Sequence, residues 1–242
     1  MERKQGYYMT VKEKIKKEKI NSDVKYRPSD SERYRPPEFY NVWRRALQYF
    51  VTHMFYKSIF YIMYRLEVHG TENLPKDNAY IAASNHLSAL DPPLVCSVLN
   101  KGGAFMAKKE LFDNPLLRWW LNWLGAFAVD RENLSISTIK TAIQIKKTGW
   151  VLGIFPQGTR QDPGKITNVT KGFANLARKT KCGILPIGIV GTDKKAKIPF
   201  TGKIIVKIGK LIPYSDDVLD MVNKWGYAVQ ELTGYEYEPI DE

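Results

Sequence analysis

From Gly70 onward the chain alternates short apolar runs with longer stretches of helical periodicity, and this alternation restricts the fold more than any other feature. Ala79 to Ser84, Ala104 to Ala107, Phe127 to Asp130, Val151 to Phe155, Ile184 to Val190 and Ile204 to Ile208 read as strands. Between and after them the spacing predicts helices opening at Asp91-Pro92-Pro93 and covering Asn114 to Leu124, Ser135 to Lys147, Lys171 to Lys181 and Asp216 to Leu232. Apolar strands separated by helices must bury both faces of a sheet, so the expected class is α/β, a mixed sheet flanked by helices. Asp91 is expected to cap its helix, with Pro92 at the first helical position. No internal repeat or low-complexity tract interrupts the pattern.

The first part of the chain has another character. Residues 1 to 38 are polar, with Lys12 to Lys19 reading as a short charged helix and Arg27 to Pro37 as a connector. Between Phe39 and Leu66, Tyr40, Trp43, Leu47, Phe50 and Met54 recur at helical spacing, and further aromatic and aliphatic residues thicken that face. Arg44, Arg45, Gln48, Lys57 and Arg65 break the run before it reaches the roughly 18 apolar residues of a spanning helix. Each cation would cost on the order of 2.5 to 3.5 kcal/mol at a bilayer centre. Such a helix can lie at headgroup depth or pack on a protein core, and periodicity does not separate the two. The expected organisation is an N-terminal amphipathic helical membrane-anchoring segment over 1–66, its polar face toward water, followed by an α/β domain over 67–242.

Charge is unevenly placed. The net value is +12, and the stretch from Lys146 to Lys210 supplies all of it, with fourteen Lys and Arg against Asp162 and Asp193. From Leu211 onward, eight acids face Lys224 alone. A basic block of this kind calls for an anionic partner, a phosphate or an acidic membrane surface. Nucleic acid ranks lower, because aromatic residues are sparse in the block and no recognition motif is present. Cys96 and Cys182 stand without His or Asp at ligand spacing, and the residues after Met1 form no apolar signal region, so a disulfide scaffold, a zinc site and a secretion signal are not expected.

Two peptides could carry chemistry, and each follows a predicted strand. In Asn85-His86-Leu87-Ser88-Ala89-Leu90-Asp91 the acid lies five residues beyond the histidine, which is wrong for stacking on one helix but feasible across a strand-to-helix turn. A carboxylate on one imidazole nitrogen fixes the tautomer and leaves the other free to accept a proton. On the residues alone, Asp91 could equally cap its helix while His86 sits idle in the turn. In Phe155-Pro156-Gln157-Gly158-Thr159-Arg160, Gly158 permits a sharp turn while Thr159 and Arg160 offer donors to an anion. Gly158 to Lys165 fails as a phosphate loop, since its glycines are wrongly spaced and Ile166 stands where Ser or Thr should be. No Gly-x-Ser-x-Gly elbow supports a serine hydrolase.

Taken in order, these peptides make the chain resemble the glycerophospholipid acyltransferases, most closely the bacterial 1-acylglycerol-3-phosphate acyltransferases. Asn85, His86 and Asp91 match the Asn-His-x4-Asp signature. Lys108-Lys109-Glu110-Leu111, Gly125 to Arg131, Phe155 to Arg160 and Ile184 to Ile189 follow in family order. The resemblance implies acyl transfer, without a cofactor, from an acyl carrier protein or coenzyme A thioester to lysophosphatidic acid. His86 would be the general base and Asp91 its orienting acid. Asn85, Lys108, Arg131, Gly158, Thr159, Arg160 and Lys171 would hold the substrate and its phosphate, Lys171 having the alternative of an ordinary helix-end residue. The expected setting is the cytoplasmic face of the cell membrane, on anionic phospholipid, with no nucleic-acid partner. Gln157 departs from the family's Phe-Pro-Glu-Gly-Thr-Arg pattern, keeping the size and hydrogen bonding of Glu and losing its charge, so the resemblance carries over no role there that needs a carboxylate.

Overall fold

The strands come together as β1 (Glu67–His69), β2 (Tyr80–Ser84), β3 (Gly102–Lys108), β4 (Phe127–Val129), β5 (Trp150–Ile154), β6 (Lys165–Ile166), β7 (Gly183–Val190), β8 (Ile205–Ile208) and β9 (Glu236–Tyr237). The structure, a computed structural model, describes residues 34–129, 136–193 and 199–240. Seven strands form one sheet in the order β1-β8-β7-β2-β5-β3-β4, and β6 pairs with β9 in a small parallel ribbon. Neighbours in the large sheet run parallel except β7 and β8. The sheet is therefore mixed, as expected. β2 lies between β5 and β7, with Ala83 opposite Ile154 on one side and Pro186 on the other.

Alternation along β2 explains the two cores. Ile81 and Ala83 point into a layer with Leu152, Ile184, Phe173 and Trp225, whereas Tyr80 and Ala82 point into one with Phe60, Leu94, Leu185 and Ile187. The first layer is covered by α5 (Ile136–Ile145), α6 (Gly172–Thr180) and α7 (Val218–Thr233). The second lies beneath α2 (Lys57–Tyr64) and α3 (Asp91–Val98). Fully burying aliphatic and aromatic side chains of this size contributes about 1.5 to 3 kcal/mol each. α4 (Pro115–Trp123) starts at Asn114, whose side chain accepts from the amides of Leu116 and Leu117.

Most elements fall within a residue or two of their expected bounds. β1, β6 and β9 were not anticipated, because two or three residues carry too little periodicity to register. At α3 the cap is Leu90, and Asp91 is the first helical residue. Its carboxylate is drawn back into the preceding turn, which corrects its expected capping role. The helix expected at Lys12 to Lys19 lies outside the described residues.

Residues 34–66 belong to the same compact unit as the sheet. α1 (Val42–Tyr49), a π-helical turn at Phe50–Tyr56 and α2 follow one another without a break. Gln48, Thr52, Phe60 and Tyr64 are its buried stripe. A repeat of four drifts by about 40° per turn on a 3.6-residue helix, and the wider π turn takes up that drift. Gln48 docks the rod: its Nε2 donates to the Gly103 and Leu124 carbonyls at 2.7 and 2.6 Å, and its Oε1 accepts from the Gly103 amide at 2.9 Å. The compact unit containing the sheet runs from Glu32 to Glu242 and includes this rod.

Along α1 the polar side of the rod faces the protein, whereas along α2 the buried side is apolar, with Phe60 and Tyr64 in the second core. Arg44 donates to the Asn122 carbonyl at 3.0 Å and lies over the rings of Phe39 and Trp123, while Arg45 donates to the Gly149 carbonyl at 3.4 Å. On α1 the two arginines expected on the water side thus lie on the inner side, where carbonyls and ring faces satisfy the guanidiniums.

Candidate active site

β2 and β5 are parallel neighbours, so the peptides that follow them leave the carboxyl edge of the sheet side by side. Asn85 comes first, and its amide does not reach outward. Nδ2 donates to the Ile189 carbonyl at 2.9 Å and Oδ1 accepts from the Ile189 amide at 2.7 Å, which extends the β2–β7 pairing by one step. Asn85 was expected to touch substrate; it is a buried tie between strands.

His86 follows, and its peptide is held at both ends. Its amide donates to Gln157 Oε1 at 3.1 Å, and its carbonyl accepts from the Gln161 amide at 2.9 Å. The ring stacks on Phe155, with centroids 4.0 Å apart and planes 18° from parallel. Nδ1 lies 2.8 Å from Asp91 Oδ2. The same carboxylate oxygen accepts from the amides of Leu87 and Ser88 at 2.6 and 2.7 Å, and Oδ1 accepts from the Thr192 hydroxyl at 2.6 Å. The five-residue separation works because the turn wraps around the carboxylate. Four donors fix Asp91, which is fully buried. An acceptor at Nδ1 places the ring proton there and leaves Nε2 as the basic atom. His86 retains 8% exposure, enough for that edge to meet a ligand.

Thr192 was missed by sequence reasoning. It follows β7 after Gly191, which adopts φ +88° where any Cβ would strike the Lys203 carbonyl oxygen. A Gly-Thr pair after a strand was the sole signal, and it is too common to single out. The sequence marks Gln157 as keeping the hydrogen bonding of Glu without its charge, but gives no sign of its contact with His86.

The second peptide turns at Gly158, which has φ +70° and donates its amide to the Phe155 carbonyl at 2.9 Å. The left-handed conformation favours glycine. Thr159 and Arg160 are exposed beyond it. Gly158, Thr159 and Thr170 border a cavity of about 640 Å³ whose other walls include Met106, Ile139, Ile154, Phe155, Phe173 and Leu176. Phe155 is shared between that wall and the stack under His86, while His86 and Asp91 themselves do not line the cavity. Thr170 is tied to the Pro156 carbonyl through its amide and hydroxyl, both at 3.1 Å, which sets the start of α6 against the same turn. Lys171 is exposed at that helix end. Lys108 is exposed at the end of β3, 3.6 Å from Glu110. Arg131 lies outside the described residues. The structure thus joins His86, Asp91, Gly158 and Thr159 closely, and sets Arg160, Lys171 and Lys108 at the same edge of the sheet. Among the described residues no cluster of His, Cys, Asp and Glu could hold a metal ion. Both cysteines are buried and free, and burial pushes the Cys96 thiol up to about 12.

A histidine whose Nδ1 meets a buried carboxylate, at the carboxyl edge of a mixed sheet, is an arrangement able to accept a proton at Nε2. The chain belongs to the acyltransferase family, whose model, described as Acyltransferase, matches residues 65–190. It is 35% identical over 152 residues to a 1-acyl-sn-glycerol-3-phosphate acyltransferase of Bacillus subtilis, covering 62% of this chain and 75% of that protein. It is 29% identical over 158 residues to a chloroplastic 1-acyl-sn-glycerol-3-phosphate acyltransferase of Arabidopsis thaliana, covering 64% of this chain but 44% of the plant protein. The crystal structure of the 1-acyl-sn-glycerophosphate acyltransferase PlsC from Thermotoga maritima superposes with a TM-score of 0.60 at 29% identity, covering 75% of this chain and 78% of that one.

Proposed function

We propose that this acyltransferase moves a fatty acyl group from a thioester to the sn-2 hydroxyl of 1-acylglycerol 3-phosphate, giving phosphatidic acid. The relatives named above carry that activity in their names, and the shared stretch contains the whole His86 turn and the 155–160 peptide. The observation that carries the reading is the His86–Asp91 pair at the carboxyl edge of the sheet, held against the 155–161 peptide. Nε2 of His86 takes the hydroxyl proton as the oxygen attacks the thioester carbonyl. The tetrahedral adduct then collapses, the C–S bond breaks, and the imidazolium returns its proton to the leaving sulfur. Asp91 stabilises the imidazolium while it exists. The cavity accommodates an acyl chain, and Thr159, Arg160 and Lys171, with Lys108 and Arg131, hold the phosphate.

The same reading places the enzyme on a lipid surface, peripheral or monotopic. On the outer side of the rod Trp43 is 81% exposed, Phe55 67% and Ile62 69%, while its arginines point inward. An outward apolar stripe along the whole rod, with the arginines of α1 turned inward, suits a helix sunk to the acyl boundary. α4 packs beside α1 and adds Leu116 and Trp119, both exposed. Among the described residues no helix is long and apolar enough to cross a membrane.

Purified full-length protein should form phosphatidic acid from lysophosphatidic acid when offered acyl carrier protein and coenzyme A thioesters of several chain lengths. The assay identifies the donor; no transfer from either would overturn the proposal.

A further inference from the structure

Position 157 is where this chain carries an amide in place of the carboxylate that its resemblance leads one to expect. Gln157 is 4% exposed, so it is not a surface ligand for the phosphate. Its two polar atoms are engaged unequally. Oε1 accepts from the His86 amide at 3.1 Å, an ordinary hydrogen-bond length, whereas Nε2 reaches the Thr167 carbonyl at 3.4 Å, beyond the usual range. The acceptor side therefore carries the stronger contact. It works with the Gln161 amide on the His86 carbonyl, so the 155–161 peptide grips the catalytic residue's backbone from both sides while Asp91 grips its ring. Phe155, at the head of that peptide, lies flat under the same ring.

We propose that Gln157 is a positioning residue for acyl transfer: its amide oxygen fixes the His86 backbone so that Nε2 faces the acceptor hydroxyl, and the position requires an acceptor oxygen, not a negative charge. The inference rests on the reading of His86 as the base. Its physical basis is leverage. The ring hangs from the backbone by two rotatable bonds, and with Nδ1 tethered to Asp91 a shift of the peptide moves Nε2 away from the line of attack. A misplacement of about 1 Å can cost on the order of 100-fold in rate. A charge is not needed for this work, because a neutral carbonyl oxygen already accepts the amide.

Two variants of the full chain separate the possibilities. Gln157→Met keeps the volume but removes the strong acceptor, and Gln157→Glu keeps the acceptor and adds charge. Rates are taken per folded protein, measured by circular dichroism, with kcat and KM determined separately. Gln157→Met should lower kcat by roughly 10- to 100-fold with the KM for lysophosphatidic acid little changed. Gln157→Glu should recover most of that loss. The proposal is overturned if Gln157→Met retains full kcat, if Gln157→Glu is as impaired as Gln157→Met, or if Gln157→Glu exceeds the native enzyme about tenfold (1.4 kcal/mol of barrier), since the site would then want charge. Should Gln157→Met not fold, Gln157→Glu decides alone, near-native kcat supporting the proposal and a tenfold loss (again about 1.4 kcal/mol) overturning it. His86→Ala with full turnover would instead bring down the underlying reading, whatever position 157 does.

Discussion

Without the Thr192 hydroxyl, Asp91 Oδ1 would be a buried carboxylate oxygen lacking its short donor. Thr192→Val should therefore cost about 1 to 3 kcal/mol of stability, read as a shift in denaturant midpoint, and should lower kcat by loosening the acid that orients His86. Asp91→Asn acts more directly. An amide cannot accept from His86, Leu87 and Ser88 and stabilise a cation as a carboxylate does, so kcat should fall by roughly 10² to 10⁴ while lysophosphatidic acid binding persists in a direct binding measurement. His86 and Asp91 were legible because they lie five residues apart in one peptide. Thr192 was not, since it reaches Asp91 from 101 residues away and no local pattern encodes that approach. Asn85 was legible as part of a motif, yet its work in the β2–β7 pairing could be seen only once β7 stood beside it.

Among the elements, the rod from Val42 to Tyr64 holds the most that periodicity could not supply. Its apolar face was evident, but which side met the protein depended on Gln48 finding the Gly103 and Leu124 backbone groups. Gln48→Leu should leave three backbone groups without that partner and destabilise the fold by about 2 kcal/mol or more, measured by chemical denaturation. Farther along, His53 stacks on Tyr49 with centroids 3.7 Å apart. Burial, then the nearby Lys57 charge, lowers its pKa below the usual imidazole value. The folded chain then binds fewer protons than the unfolded chain on the acid side. The stability His53 contributes is complete above the unfolded value of about 6.5, and is lost as pH falls through the window down to the folded value. A ring-proton NMR titration should place the His53 midpoint below that reference; a midpoint above it would contradict this environment. The central strands were readable because both their faces are apolar, whereas β1 depends on β8 for its existence and carries no pattern of its own.

At the scale of the molecule, the basic block divides between internal and external work. Lys146 donates to the Thr180 carbonyl at 2.6 Å and Lys203 pairs with Glu67 at 2.6 Å, while Arg160 and Lys171 remain exposed at the carboxyl edge. Net charge thus pointed to an anionic partner without showing which cations would meet it. The outward stripe of the rod and α4 should bind vesicles as one surface. Replacing Trp43, Phe50 and Trp119 together with Ser should weaken partition into vesicles without changing the fold, because all three are exposed. Unchanged partition in a sedimentation assay would contradict that surface. Deleting residues 1 to 66 is a poorer test, since it would also remove Phe60, Tyr64 and Leu66 from the second core.

The central claim, that His86 abstracts the acceptor proton in an acyl transfer to lysophosphatidic acid, is tested most directly by single-turnover phosphatidic acid formation with the native chain and with His86→Ala. The native protein should form product, and the variant should be slower by about 10² to 10⁴-fold while still folded and still binding lysophosphatidic acid. Equal rates in the two proteins would contradict the account.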